Sequence, residues 1–166
     1  MFNRKKFNNK DILVFLDVDG VLNTTNSRIS KYEVRDENVN ALGMLKTALE
    51  NKGYVVKIVL SSTWRLGYVA AYEECSPQIQ KLITKISEAG ISIYDKTPVY
   101  KETTRDVEIA RYIKGYELKN EEFTYIILDD DISVFDEKAL KKMNFYKVDE
   151  HTGLVSKDIK KLVKLF

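Results

Sequence analysis

Two aspartates stand at the end of an apolar run in "ILVFLDVDGVLN", Ile12 to Asn23. Asp17 and Asp19 flank Val18, and Gly20 follows at once. In an extended segment, alternation puts the two acids on one side and Val18 on the other. Carboxylates that close raise each other's pKa unless a cation or a proton-transfer role settles the pair. A second acidic group, Asp129-Asp130-Asp131, ends the apolar run "TYIIL", and a third run, "VVKIVL", ends in Ser61, Ser62 and Thr63. Carboxylates and hydroxyls without a His or Cys cluster suit a hard cation bound through oxygen, and Mg²⁺ is the natural one. That ion takes one or two carboxylates and fills its octahedron with waters and phosphate oxygens. A carboxylate can also attack phosphorus. Asp17 suits that task, with Asp19 placed to protonate the leaving oxygen and later to activate water. Ser61 can donate a hydrogen bond to the phosphoryl group, and a basic residue can pair with it. One aspartate at a strand end is usually a turn residue. Two acidic groups on separate strands, with hydroxyls on a third, go beyond that.

These residues need a frame to converge. Ile12–Leu16 reads as a strand buried on both faces. Glu37–Asn51 carries Val39, Leu42, Leu45 and Leu49 at helical spacing, with Gly53 to end it. Val55–Leu60 is the second strand. A long helical region follows over roughly Leu66–Ala89, with Pro77 opening a new helix and Gly90 closing it. Ile91–Tyr94 is a short third strand. Thr104–Lys114 is helical with Val107, Ile109, Ala110 and Ile113 apolar. Thr124–Leu128 and Phe145–Val148 are the fourth and fifth strands. Ser156–Leu165 is a closing helix capped by Ser156. Strand and helix in alternation mean an α/β fold, a parallel sheet with helices on both faces. In such folds ligands bind beyond the carboxyl ends of the strands, which is where the acids and hydroxyls stand.

The bulk properties set the bounds. A chain of 166 residues is a single domain on length alone. Its net charge of +2 gives no global field toward nucleic acid or membrane. Basic clusters lie near both ends, Arg4-Lys5-Lys6 with Lys10, and Lys157, Lys160, Lys161 and Lys164; they read as solvated faces. The lone Cys75 rules out an internal disulfide and a multi-cysteine metal site. The first apolar run is about six residues, below the roughly 7–15 of a signal segment, and Asp17 interrupts it. No run reaches the length of a membrane span. A cytoplasmic protein is expected.

"FLDVDGVLN" resembles the first motif of the haloacid dehalogenase-like (HAD) phosphohydrolase superfamily. "IVLSSTWR" resembles the second motif and "YIILDDD" the acidic fourth. The combination of "LSSTWR", "ILDDD" and the terminal "VDEHTGL" is similar to a small HAD group, some members of which are attached to RNA-repair proteins. The resemblance implies a Rossmann-like three-layer sandwich with a central, mainly parallel five-stranded sheet and no large cap. It implies a Mg²⁺-dependent phosphatase working through an aspartyl-phosphate. Asp17 would be the nucleophile and a metal ligand. Asp19 would be the general acid and base, holding the metal through its backbone carbonyl. Ser61 would hold a phosphoryl oxygen, Asp130 would complete the metal site, and Asp129 would be a ligand or orienting neighbour. Gly20 would allow the tight turn after the first strand, and residues 23–32 would form a flap. The third-motif cation is Lys101 or Arg105. Arg105 is favoured, because "RDVEIARYI" puts it at a helix start, where a guanidinium can clamp phosphate bidentately.

Gly20, Ser62, Arg65 and Lys101 stand as candidates for substrate contact. Trp64 is a candidate to stack on substrate or to pack in the core. His151, the only histidine, reads as a surface turn residue. Tyr68, Tyr72, Tyr94 and Tyr100 read first as packing residues. With room for only a short helical stretch between Arg65 and Ile91, an open site is expected. Such a site suits a phosphomonoester on a small molecule or a nucleic-acid end. The alternatives are a phosphate-binding or regulatory module of the same fold and, fitting less well, a receiver-like domain. A pure binder has no need of the second carboxylate of the Asp17/Asp19 pair.

Overall fold

The apolar runs do become strands of one sheet. The computed structural model describes residues 9–25, 33–117 and 124–166. In chain order the regular elements are β1 (Asp11–Leu16), α1 (Asp36–Asn51), β2 (Val55–Leu60), α2 (Pro77–Glu88), β3 (Ile93–Lys96), α3 (Arg105–Glu117), β4 (Thr124–Asp129), α4 (Glu137–Leu140), β5 (Phe145–Lys147) and α5 (Ser156–Leu162). The five strands are all parallel and ordered β3-β2-β1-β4-β5, so the chain reverses direction across the sheet on either side of β1. The sheet edge at β1 and β4 is therefore the switch point, where an α/β sheet opens a crevice.

β1 is buried at every position because both its faces are covered. Ile12, Val14 and Leu16 pack into the core with Val39, Leu42, Leu45 and Leu49 of α1, Leu82 of α2 and Leu162 of α5. Leu13 and Phe15 face the other way, onto Ile109, Tyr112 and Ile113 of α3 and onto Phe135. Alternation along one strand thus produces the three-layer α/β arrangement, Rossmann-like, with no large cap among the described residues. No helix among the described residues is long and apolar enough to cross a membrane.

Where the structure departs from the sequence pattern, local chemistry explains it. The helical region expected from Leu66 begins as helix only at Pro77; before it lie two 3-10 turns, Thr63–Gly67 and Tyr72–Glu74. Gly67 abuts Ser76 so closely that a β-carbon there would overlap the serine side chain, and this contact folds the segment back on itself. The Ser76 hydroxyl then accepts the Ile79 N–H at 3.3 Å and caps α2. β3 starts two residues later than expected, because the Ile91 N–H closes the end of α2 on the Ile86 carbonyl at 3.1 Å. On α3, Ala110 is exposed, while Asp106 and Glu108 occupy buried positions. Ser156 is the first residue of α5 and not its cap; the Asp158 carboxylate accepts the Val155 N–H at 3.1 Å instead. α5 ends at Leu162, and Val163–Leu165 tightens into a 3-10 turn. Arg4, Lys5, Lys6 and residues 26–32 of the expected flap lie outside the described residues.

Candidate active site

The strand ends are stitched to one another. The Asp17 N–H donates to the Leu128 carbonyl of β4 at 3.0 Å, and the Ser61 N–H donates to the Leu16 carbonyl at 3.0 Å. The Val148 N–H donates to the Asp129 carbonyl at 2.9 Å. Each functional residue just past a strand is thereby fixed by the ladder of its neighbour, which gives a site on rigid elements.

After Leu16 the chain leaves the strand and turns, with the Leu22 N–H on the Val18 carbonyl at 2.8 Å. Alternation stops there, so Asp17 and Asp19 do not share one spot. Asp17 is buried at 5% exposure, whereas Asp19 is exposed. Two donors hold the Asp19 carboxylate: Asn23 Nδ2 at 2.8 Å on one oxygen and the Trp64 indole N–H at 3.0 Å on the other. Asn23 Oδ1 also accepts the Gly20 N–H at 2.9 Å, which closes the turn. Gly20 has φ +73°, and a β-carbon on it would overlap the Asp130 carboxyl group. The Gly20→Ala variant is therefore expected to lose about 2 kcal/mol or more in urea denaturation. The acidic site should be disturbed along with stability, because Asp130 must move to make room.

Carboxylate oxygens of Asp17, Asp129 and Asp130 lie within 4.8 Å of one another. Arg105, at the start of α3, is the cation among them. Its Nη1 is 3.1 Å from Asp17 Oδ1 and forms a tighter pair with Asp129 Oδ2. Three carboxylates against one guanidinium leave a formal charge of −2 when all are ionised. The pKa values register that excess. Burial first, then the charges of Asp129 and Asp130, push Asp17 up to about 7, against Arg105 and a hydrogen bond with Ser62. Asp130 is pushed up to about 6 by burial and by Asp129, and Asp129 is also raised, chiefly by burial. Burial works against the charge of Arg105, but Asp17 and Asp129 outweigh it and hold its pKa above the ordinary value. The donor set is oxygen-only and short of two positive charges, which fits a divalent hard cation such as Mg²⁺.

The remaining candidates divide. Ser62 has the hydroxyl that hydrogen-bonds Asp17, and it accepts the Trp64 N–H at 3.3 Å. The Ser61 hydroxyl is fully buried and has no hydrogen-bond partner among the described residues. Arg65 is buried and committed to the protein: Nη1 donates to the carbonyls of Ser61 at 2.9 Å and Ser62 at 2.8 Å. Its Nη2 meets Glu108 Oε2 at 2.6 Å. Glu108 lies one turn beyond Arg105, so this buried pair locks the loop after β2 to the helix that carries the site's cation. Lys101 is exposed in the turn before α3. His151 is exposed in a turn beside Glu150, 3.1 Å from Thr25 Oγ1. Tyr100 stacks under Arg111 and Tyr94 under Lys57.

Three contributors were not assigned from sequence. Asn23 and Trp64 aim Asp19, and Glu108 anchors Arg65. An acid on the buried face of α3, three residues from Arg105, was the available signal for Glu108. The "VDEHTGL" segment also gains a role. Gly153, at φ +65°, lies against Asn38, whose Nδ2 donates to the carbonyls of Thr152 and Leu154 at 2.9 Å. The Leu154 N–H reaches the Val21 carbonyl at 2.8 Å, and the Thr25 N–H reaches the Glu150 carbonyl at 3.1 Å. The far end of the chain thus braces the loop that carries Asp17 and Asp19.

No curated protein matches the chain. A family model does, that of the HAD domain in Swiss Army Knife RNA repair proteins, over residues 13–159. That span takes in every strand end described above and the Gly153 turn. The chain belongs to this family of HAD domains, within a superfamily of phosphohydrolase type.

Proposed function

We propose that the protein is a Mg²⁺-dependent phosphomonoester hydrolase that works through an aspartyl-phosphate on Asp17. One observation carries this: Asp17 sits with Asp129, Asp130 and Arg105, while Asp19 is held apart from them by Asn23 and Trp64. The two carboxylates of the motif thus have different surroundings, as a nucleophile and a proton carrier require. Asp17, Asp129 and Asp130 would hold the ion, which when bound offsets the charge of the phosphoryl group and keeps Asp17 ionised.

Asp17 Oδ attacks phosphorus, a P–O bond forms, and the bond to the leaving alcohol breaks. Asp19 gives its proton to the departing oxygen. It then takes a proton from a water that attacks the same phosphorus, and the Asp17–phosphorus bond breaks to release inorganic phosphate. Arg105 holds Asp17 in place and faces the charge that builds on the phosphoryl oxygens. Ser62 is a hydroxyl that acts on the nucleophile. The family's RNA-repair setting supports nucleotide or polynucleotide end phosphates as substrates, and the lone Cys75 suits a reducing, cytoplasmic setting.

Purified protein is expected to hydrolyse p-nitrophenyl phosphate with Mg²⁺ and to stop when the metal is chelated. Release of end phosphate from RNA and DNA, run beside free nucleotides and sugar phosphates, ranks the substrates. A wild type no more active than Asp17→Asn across that whole panel would mean a phosphate-binding module.

Stability should follow the same charges. Asp17 and Asp130, at about 7 and about 6, bind protons more tightly in the folded protein than in the unfolded chain. Stability of the metal-free protein must then fall as pH rises from about 4 through 7. We expect Tm in EDTA to be about 5 °C or more lower at pH 8 than at pH 5. Mg²⁺ should recover most of that at pH 8 and do far less at pH 5. Thermal melts with and without the ion check both statements; equal Mg²⁺ effects at the two pH values would contradict them.

A further inference from the structure

Helix α5 carries Lys157, Lys160 and Lys161, and the 3-10 turn that continues it carries Lys164. All four are exposed. Residues spaced i, i+3, i+4 and i+7 share one helix face, so the four ammonium groups form a stripe. The other face is committed to the core through Ile159 and Leu162. The segment's one acid, Asp158, is turned inward: its carboxylate accepts the Tyr146 hydroxyl at 2.8 Å and the Val155 N–H at 3.1 Å. None of the four lysines pairs with a carboxylate among the described residues. Lys52, just past α1, donates to the Val163 carbonyl at 2.9 Å and adds a cation beside the far end.

A solvated face normally mixes its signs. That is so on α4, where Lys141 meets Glu137 at 2.8 Å and Asp136 accepts the Lys138 N–H. On α5 the stripe holds four like-charged pairs at three- or four-residue spacing, each of them unfavourable. The carboxyl end of the helix favours Lys160, Lys161 and Lys164, but Lys157 stands in the first turn, where the dipole opposes a cation. A face held against its own repulsion is completed by a line of negative charge. The stripe also has a defined place. The Leu154 N–H on the Val21 carbonyl, at 2.8 Å, ties the chain just before α5 to the loop of Asp17 and Asp19. Lys157 follows three residues later, and the stripe runs on for about 10 Å at about 1.5 Å per residue. The exposed acids nearest in sequence, Asp149 and Glu150, precede Leu154 and are not on the helix.

Resting on the polynucleotide-end reading above, we infer that the lysine face of α5 docks the phosphate backbone of the nucleic-acid strand whose end enters the site. About 10 Å of helix spans roughly three phosphates at about 3.4 Å of rise per strand. Contacts to phosphate carry no sequence information, so this face positions the strand and leaves the choice of end to the site. An anionic membrane fits less well. The apolar face of α5 is buried in the core, and beside the lysines only Leu165 is exposed.

The full chain with Mg²⁺ is titrated against fluorescein-labelled oligouridylate without a terminal phosphate, and binding is read by anisotropy over a series of KCl concentrations. With three or four lysines engaged, log K should fall against log[KCl] with a slope of about −2 to −3. Lys157→Gln, Lys160→Gln, Lys161→Gln and Lys164→Gln combined should weaken binding about tenfold or more and flatten the slope toward zero. Lys157→Glu alone suits the first turn of a helix, so it keeps the fold while it should still weaken binding about threefold or more. Lys138→Gln, Lys141→Gln and Lys142→Gln combined, on α4, should leave the affinity within about twofold. On end-phosphorylated RNA the α5 variants should raise KM and keep kcat, with rates on p-nitrophenyl phosphate unchanged. Equal affinity and slope in wild type and both α5 variants, or an equal loss in the α4 variant, would overturn the inference. So would a wild type that binds phosphatidylserine vesicles or polyglutamate and not the RNA. The two failures are separable. Hydrolysis of p-nitrophenyl phosphate without RNA binding removes the docking face and keeps the phosphatase. RNA binding through α5 in a protein that hydrolyses nothing removes the phosphatase and keeps the docking face.

Discussion

Asp17→Asn is expected to lower the turnover of p-nitrophenyl phosphate by about 10³-fold or more, while the protein melts at an equal or higher temperature in EDTA at pH 8. The first effect follows from chemistry, because an amide oxygen offers no carboxylate to attack phosphorus. The second follows from the charge count. Asp17 is buried beside Asp129 and Asp130, with Arg105 as the shared cation, so removing one negative charge relieves repulsion. A residue kept for stability would show the reverse, a lower Tm with activity falling in proportion. Rates at saturating substrate, set beside melts of the same preparations, separate the two. A gain of about 1 kcal/mol corresponds to roughly 2–4 °C for a chain of this size.

Arg105→Met should act in the opposite direction on stability. It leaves Asp17 and Asp129 buried without their cation, and breaking a buried pair in this way costs about 3–5 kcal/mol. The loss should be largest at pH 8. It should shrink toward pH 5, where Asp17 and Asp130 take up protons because their pKa values are raised to about 7 and about 6. Activity should fall by at least about 10²-fold as the phosphoryl group loses its guanidinium. Arg105→Lys keeps the charge but not the planar fork, so it should restore stability more than activity. Urea denaturation at the two pH values, with rates on all three proteins, tests the whole pattern. A pH-independent loss would mean that Arg105 acts by packing alone.

Much of this was legible because it is local. The first motif is one continuous stretch, and its apolar run is long enough to announce a doubly covered strand. The rule that α/β sheets gather ligands beyond their carboxyl ends then placed Asp17, Ser61 and Asp130 along one edge without any contact being known. Arg105 could be singled out because a helix starting after β3 must point its first residue at that edge.

What was not legible depends on distant side chains or on how a strand ends. Alternation assigned Asp17 and Asp19 to one side, but β1 stops at Leu16 and the turn carries Asp19 out to Asn23 and Trp64. The action of the Ser62 hydroxyl on Asp17 was not anticipated, since a difference of one residue at a strand end lies below what periodicity can decide. Arg65 reads as a surface clamp until its buried partner Glu108 is seen, 43 residues away in sequence. Residues 66–76 fall in the stretch read as helical, yet the close contact of Gly67 with Ser76 favours short 3-10 turns around Thr63–Gly67 and Tyr72–Glu74. That departure matters for the site, because Trp64 lies in the first of those turns and donates its indole N–H to Asp19.

The most direct test is a crystal grown with Mn²⁺ and beryllium fluoride, with the metal located by its anomalous scattering. The account predicts one Mn²⁺ within direct or single-water reach of Asp17 and Asp130, and beryllium bonded to a carboxylate oxygen of Asp17. A metal seated elsewhere on the chain, or beryllium on any other residue, would contradict it.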